Sequence, residues 1–111
     1  MDLMEEQVGG VVVVLVKGRL DSTTSPVLGD RLSQILSVTK VRLVVDFSQL
    51  EYISSAGFRV LLQAAKRADQ NAAKLVLCGV SGQTRKLFDL GGFLDLFAMT
   101  ATREEGITAA G

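Results

Sequence analysis

Three short apolar runs constrain the fold more than any other feature of this sequence. They read VVVVLVK at 11–17, VRLVVDF at 41–47 and KLVLCG at 74–79. The first run lacks the alternation of apolar and polar residues that a strand with one solvated face shows. Strands that are apolar on both faces are typical of parallel sheets covered by helices. The runs therefore predict the central strands of a mostly parallel sheet.

The segments between these runs carry apolar residues at helical spacing. The first predicts an amphipathic helix over 26–38, with Pro26 at its first position and Ser25 as its N-cap. The same reasoning predicts the remaining helices over 57–70, 82–90 and 102–110.

Two further strands complete the predicted sheet. Residues 3–8 precede Gly9-Gly10, a pair that permits a tight turn, so they predict a hairpin with 11–17. Residues 95–99 predict a short edge strand. Alternating strands and helices imply parallel pairing through right-handed crossovers. The sequence thus predicts one α/β domain over residues 1–111, with a mostly parallel sheet of four to five strands, an antiparallel first strand and about four helices.

The composition excludes several classes of function. Twelve Lys and Arg balance 12 Asp and Glu, so no basic field exists to hold nucleic acid or an anionic membrane surface. The chain has no histidine, which removes the usual general base and a common metal ligand. The lone Cys78 lies in an apolar run and is expected to be a small core residue. We therefore expect no catalytic residue, no metal and no cofactor, and thus a protein that is not an enzyme.

The N-terminal sequence and the apolar runs bear on localisation. MDLMEE lacks the basic-then-apolar pattern of a signal peptide, and the longest aliphatic run, 11–16, is too short to span a bilayer. An unpaired cysteine fits a reducing compartment. We expect a cytoplasmic protein without a membrane segment.

Residues 54–57, SSAG, stand where a predicted strand passes into a predicted helix. Ser54 or Ser55 can act simply as a helix cap, because serine oxygens accept hydrogen bonds from the free N–H groups of a first turn. The same position suits a phosphoserine, which the positive end of the helix dipole favours. A catalytic serine is disfavoured, since Ile53 replaces the first glycine of the hydrolase motif and no histidine is present.

Two aspartates are predicted near the carboxyl ends of strands. Asp21 follows the first apolar run and precedes STTSP, and Asp46 ends the second run. Each can simply bond backbone N–H groups in a turn. Alternatively, both contribute a polar surface around Ser55, because open α/β sheets place their sites at this edge.

Four segments together resemble the STAS domain, in particular the small anti-sigma factor antagonists of bacteria. They read GRLDSTTSPVLGDRL at 18–32, LVVDFSQLEYISSAGFRVLL at 43–62, LVLCGVSGQTRKLFDLGGF at 75–93 and TREEGI at 102–107. The second segment is the most specific, because a strand, Asp-Phe-Ser, Tyr-Ile and a serine two residues before glycine follow in order. The resemblance covers nearly the whole chain.

This resemblance implies a binding protein that phosphorylation switches. Its partners would be an anti-sigma factor that is also a serine kinase, and a PP2C-type phosphatase that resets the switch. The antagonist itself would have no catalytic duty and would be a monomer when free. The alternatives are a non-phosphorylated scaffold subunit of a transport or stressosome-like complex and, last, a small enzyme or nucleotide binder.

The family motif usually reads Asp-Ser-(Ala/Ser/Thr)-Gly. Aligning its glycine with Gly57 places the phosphoacceptor at Ser55, with Ser54 as the alternative, and puts Ser54 where the family has aspartate. The surrounding partner-binding residues implied by the resemblance are Asp21, Ser22, Asp46, Ser54, Ala56, Gly57 and Arg59.

Overall fold

A computed structural model describes all 111 residues, Met1–Gly111, and contains a five-stranded sheet. The strands are β1 (Asp2–Val8), β2 (Val11–Leu20), β3 (Arg42–Ile53), β4 (Lys74–Cys78) and β5 (Ala98–Thr100). They lie in sequential order, with β1 antiparallel to β2 and every other pair parallel. The predicted α/β class and the antiparallel first strand are confirmed.

The helices are α1 (Ser25–Ile35), α2 (Ser55–Gln70), α3 (Gly82–Leu90) and α4 (Arg103–Ala110). Right-handed crossovers between neighbouring parallel strands place their connecting helices on one face of the sheet. Accordingly, apolar residues of α1, α2 and α3 share the main core with β2, β3 and β4. Helix α4 follows the last strand and covers a smaller core on the opposite face, which includes Val11, Val44 and Cys78.

Several predicted boundaries are wrong. Strand β3 does not end at residue 47 but continues to Ile53, so the segment taken for a connection is strand. Helix α1 begins at Ser25, not after it, and Thr24 occupies the N-cap position. The edge strand predicted over 95–99 forms as β5 but begins three residues later, because Leu94–Leu96 is a 3-10 turn.

The extension of β3 results from its pairing with β2. The register shifts between Leu15 and Lys17 of β2, and again between Gly18 and Arg19, so β3 carries extra residues at both places. Such bulges break the alternation of side chains along a strand. The polar residues of this segment therefore do not follow the pattern from which a strand is recognised.

No helix in the structure is both long and apolar enough to cross a membrane.

Candidate functional site

Strands β2 and β3 extend past the rest of the sheet, so the turns that follow these two strands lie next to each other. The last residue of β4, Cys78, pairs with Asp46, whereas the β2–β3 pairing continues to Leu20 and Ile53. Helix α1 starts shortly after Leu20, and α2 starts shortly after Ile53. We call the residues at this end, Leu20–Ser22 and Ser54–Gly57, the serine edge.

Ser54 is the N-cap of α2. Its N–H and its hydroxyl both donate to the carbonyl oxygen of Leu20, at 2.9 and 3.1 Å. The same hydroxyl accepts a hydrogen bond from the Gly57 N–H at 3.3 Å. A capping serine satisfies one of the free donors of the first helical turn. The half-buried Ser54 hydroxyl is therefore already engaged in hydrogen bonds within the domain.

Ser55 occupies a different environment one residue later. It is the first residue of α2, and its side chain is exposed. No other group of the chain forms a hydrogen bond with its hydroxyl. The hydroxyl thus stands at the positive end of the helix dipole, open to a protein that approaches from solvent.

Gly57 explains how α2 can begin so close to the strands. A Cβ atom at this position would lie 2.7 Å from Ile53 Cγ1 and 3.0 Å from two side-chain atoms of Leu20. Only a residue without a side chain lets the first turn rest on these two core residues. Ala56 beside it is half-buried, and Arg59, one turn after Ser55, is exposed.

Asp21 fixes the other turn of the serine edge. Its Oδ1 accepts hydrogen bonds from the N–H groups of Thr23 and Thr24, each at 3.0 Å. The bond from Thr24, and then the one from Thr23, holds the pKa of the Asp21 carboxyl below its usual value. Ser22 is exposed beside it. Asp21 directly follows Leu20, whose carbonyl holds Ser54, so the structure brings Asp21, Ser22, Ser54 and Ser55 to one edge.

Asp46 does not belong to this edge. It pairs with Leu15, five residues before Leu20, which corresponds to about 16 Å along the strand. Its carboxylate is buried against the α4 side of the sheet, where Oδ2 accepts from Arg103 Nε at 3.0 Å and Oδ1 from the Ser48 N–H at 2.9 Å. The expectation that Asp46 surrounds the serine is therefore corrected, because the strand continues beyond it.

Asp46, Arg103 and Glu6 form two ion pairs on the α4 side of the sheet, and we call these three residues the Asp46 cluster. Burial opposes ionisation of Asp46, but the hydrogen bonds from Ser48 and Arg103 outweigh it, so the pKa of this carboxyl lies below its usual value. Arg103 also contacts Glu6 of β1. Burial and the nearby Asp46 charge raise the pKa of the Cys78 thiol to about 12. Cys78 is therefore an inert core thiol.

Sequence reasoning missed two of the residues that organise these sites. Arg103 lies 57 positions after Asp46, and no local pattern announces their pairing. Thr24 donates its hydroxyl hydrogen to the Arg19 carbonyl at 2.8 Å and accepts from the Asp21 N–H at 2.9 Å, so its side chain closes the turn before α1 and does not cap the helix. No group of three His, Cys, Asp or Glu side chains could hold a metal ion.

Comparison with known proteins identifies the family. The sequence model of the STAS domain matches residues 2–106. This chain belongs to the STAS domain family. It is 33% identical to BtrV of Bordetella bronchiseptica, a protein named as an anti-sigma factor antagonist, over 109 residues that cover 98% of this chain and 94% of BtrV. The resemblance seen in the sequence is confirmed.

Solved structures of other small proteins share the fold. An anti-sigma factor antagonist from Mycobacterium paratuberculosis superimposes with a TM-score of 0.86 at 24% identity, covering 98% of this chain and 92% of that one. Unphosphorylated SpoIIAA superimposes with a TM-score of 0.77 at 24% identity, covering 97% and 96%. The phosphorylated form of SpoIIAA from Bacillus gives 0.77 at 23% identity, covering 99% and 100%.

Proposed function

We propose that this chain is an anti-sigma factor antagonist and that phosphorylation of Ser55 switches its binding. Without phosphate, the serine edge binds an anti-sigma factor that is also a serine kinase. The anti-sigma factor then releases the sigma factor that it had bound. Transfer of the γ-phosphoryl group of ATP to the Ser55 oxygen, which releases ADP and the hydroxyl proton, ends the complex. A PP2C-type phosphatase then hydrolyses the phosphoserine with water, releases inorganic phosphate and restores the starting state. The names of the relatives support the antagonist role.

The exposed, unbonded hydroxyl of Ser55 is the observation that carries this proposal. A kinase can reach it without breaking a hydrogen bond of the fold. Ser54, by contrast, would have to leave the Leu20 carbonyl and the Gly57 N–H before it could react. The difference in hydrogen bonding supports Ser55 over Ser54 as the phosphoacceptor.

The same geometry explains how a phosphate could disrupt binding without disrupting the fold. A phosphoserine carries about −1.5 to −2 charges at pH 7. The N–H groups of the first turn of α2 and the helix dipole favour that charge, so the domain stays folded. The ionised Asp21 carboxylate already lies at this edge, and a partner fitted to one negative group would meet two.

The test compares charge at Ser55 with the same charge elsewhere. Ser55→Ala, Ser55→Asp and Ser37→Asp are titrated against the cognate kinase by calorimetry and incubated with it and ATP. Ser37 is the control because it is an exposed serine just after α1, away from the serine edge. We expect Ser55→Ala to bind like wild type but to accept no phosphate, and Ser55→Asp to bind at least about tenfold more weakly. Equal affinities of wild type, Ser55→Asp and Ser37→Asp would contradict the switch.

A further inference from the structure

Helices α1 and α2 enclose a groove on the outer surface of the domain. It has a volume of about 360 Å³, and eight residues line it. The helices approach closely at Gly29, where a Cβ atom would lie 3.2 Å from Val60 Cγ2. At the other end, the Asn71 side chain donates to the carbonyl of Leu36 and holds the helices together. Between these contacts, the small side chain of Ala64 leaves the space open.

The lining of this groove is positively charged. Lys66 and Arg67 contribute to it, neither forms an ion pair, and none of the eight lining residues is acidic. Asp69, the nearest acid on α2, lines a different cleft on the β4 side. Other clefts have a different charge. In the cleft beside the β1–β2 turn, Glu5 pairs with Arg31, and the cleft beside α4 is lined by glutamates and by no basic residue.

Neutral donors complete the groove. The side-chain amides of Gln63 and Gln70 and the hydroxyl of Ser33 lie along its walls. Guanidinium, ammonium and amide N–H groups together suit carboxylates, and charge-assisted hydrogen bonds to carboxylates are stronger than neutral ones. The chemistry of the lining therefore fits aspartate and glutamate side chains.

The groove is continuous with Ser55 along α2. Ser55, Arg59, Gln63, Lys66 and Gln70 are all exposed, and their spacing of three or four residues places them on one helical face. The stripe is about 22 Å long, at 1.5 Å per residue. An extended peptide of about seven residues covers that length, whereas a single small anion covers only a fraction of it.

We propose that the α1–α2 groove docks an acidic segment of the partner that binds the serine edge. This assignment rests on the proposed function, because it extends the same interface down α2. The partner's segment would bring its carboxylates to Lys66 and Arg67 while another part of it contacts Ser55. The groove would then hold the kinase at a fixed distance from the serine it modifies.

The first experiment measures the chemistry of the groove without the partner. A short synthetic glutamate peptide, with a Gly-Ser peptide of equal length as control, is titrated into the full ¹⁵N-labelled chain. We expect saturable shifts of the Gly29, Ser33, Gln63 and Gln70 amides from the acidic peptide alone. Absence of shifts, or equal shifts around Arg85 and Lys86 of α3, would overturn the proposal.

Two matched double variants separate this groove from general attraction to cations. Lys66→Glu/Arg67→Glu should weaken peptide binding by on the order of tenfold, whereas Arg85→Glu/Lys86→Glu makes the same charge change on an exposed pair of α3 and should leave it unchanged. The neutral Lys66→Gln/Arg67→Gln variant reduces binding without adding repulsion and serves if the charge reversal unfolds the chain. Equal loss in the α2 and α3 variants would overturn the proposal.

The second experiment uses the kinase partner and distinguishes the two proposals. Lys66→Glu/Arg67→Glu should weaken the complex by about fivefold or more and flatten its salt dependence, with Ser55→Ala still binding like wild type. Wild-type affinity in the α2 double variant would overturn the groove assignment and leave the Ser55 switch standing. A kinase that binds Ser55→Asp as tightly as wild type would contradict the switch, while weakening by the α2 variant would still support the groove.

Discussion

The serine edge lies just beyond the ends of β2 and β3, and the Asp46 cluster joins β3 to β1 and α4; both are polar, yet they have opposite characters. At the serine edge, the Ser55 hydroxyl is exposed and free, while the Asp21 and Ser54 side chains form hydrogen bonds with the backbone of the turns beside it. In the Asp46 cluster, the Asp46 residue is only 5% exposed, and both carboxylate oxygens accept hydrogen bonds. The serine edge exposes a hydroxyl to solvent, whereas the Asp46 cluster joins α4 to the sheet.

This difference shows that an aspartate near the end of a predicted strand can be either a buried structural group or part of a binding surface. Asp21 and Asp46 both lie near the carboxyl ends of predicted strands, so the sequence alone predicts the same role for both. Strand length and facing separate them: β3 continues for seven residues after Asp46, and the side chain turns toward α4. The buried group should therefore govern stability and the exposed group should govern binding.

The largest effect on stability is expected from Asp46→Ala. This change leaves Arg103, whose side chain is 30% exposed, without its buried partner and leaves the Ser48 N–H unsatisfied. Because Arg103 keeps Glu6, the expected loss in the free energy of unfolding is about 2–3 kcal/mol, at the lower end for a broken buried pair. Urea unfolding measures it, and a loss under about 0.5 kcal/mol would show that the cluster is not structural.

The pH dependence of the same cluster has a defined sign. The pKa of Asp46 is lower in the folded chain than in the unfolded one, so its contribution is complete above the unfolded pKa of about 3.9 and is lost as pH falls through the folded pKa. The stability difference between wild type and Asp46→Asn should therefore shrink below about pH 4. A difference that stays constant from pH 7 to acid would contradict the assigned ionisation.

Gly57→Ala tests the packing of the serine edge. The added methyl group meets Ile53 and Leu20, so we expect a loss of about 2 kcal/mol and weaker binding of the partner, as α2 is displaced. Gly82→Ala is the matched control, because Gly82 is also in the first turn of a helix but has no atom within 4 Å of an added Cβ. Because alanine favours a helix more than glycine does, Gly82→Ala should leave stability unchanged or raise it, and a Gly57→Ala variant that is equally stable would contradict the packing assignment.

Ser54→Ala and Ser55→Ala give the smallest effects and compare the two serines directly. Loss of the cap in Ser54→Ala should cost about 1 kcal/mol, whereas Ser55→Ala should change stability by less than about 0.5 kcal/mol. Thermal unfolding of both variants in one buffer measures the difference. The reverse order would mean that the cap assignment is wrong.

Much of the fold could be predicted because its central strands are short unbroken apolar runs and its helices carry apolar residues at helical spacing. The runs that became β2, β3 and β4 and the amphipathic face of α2 carry that information locally. The end of β3 could not be predicted, since bulges and exposed polar residues at 48–52 erase the strand pattern. The contact between Asp46 and Arg103 depends on α4 returning to the opposite face, which no local spacing encodes.

The candidate site was predictable only in part, because some of the contacts that define it are local in sequence and others are distant. The motif at 54–57 identifies the turn, and the resemblance to STAS proteins favours Ser55 within it. Which serine is the cap depends on the Leu20 carbonyl, 34 residues away in sequence. Only the folded arrangement separates the bonded hydroxyl from the free one.

Mapping the phosphate on the protein purified from its own cells tests the central claim most directly. Intact mass and peptide sequencing by mass spectrometry, before and after treatment with a serine phosphatase, are sufficient. The account predicts a single phosphate on Ser55 that the phosphatase removes. A phosphate on Ser54, or none under any of several growth conditions, would contradict it, and the latter would favour a scaffold that is never phosphorylated.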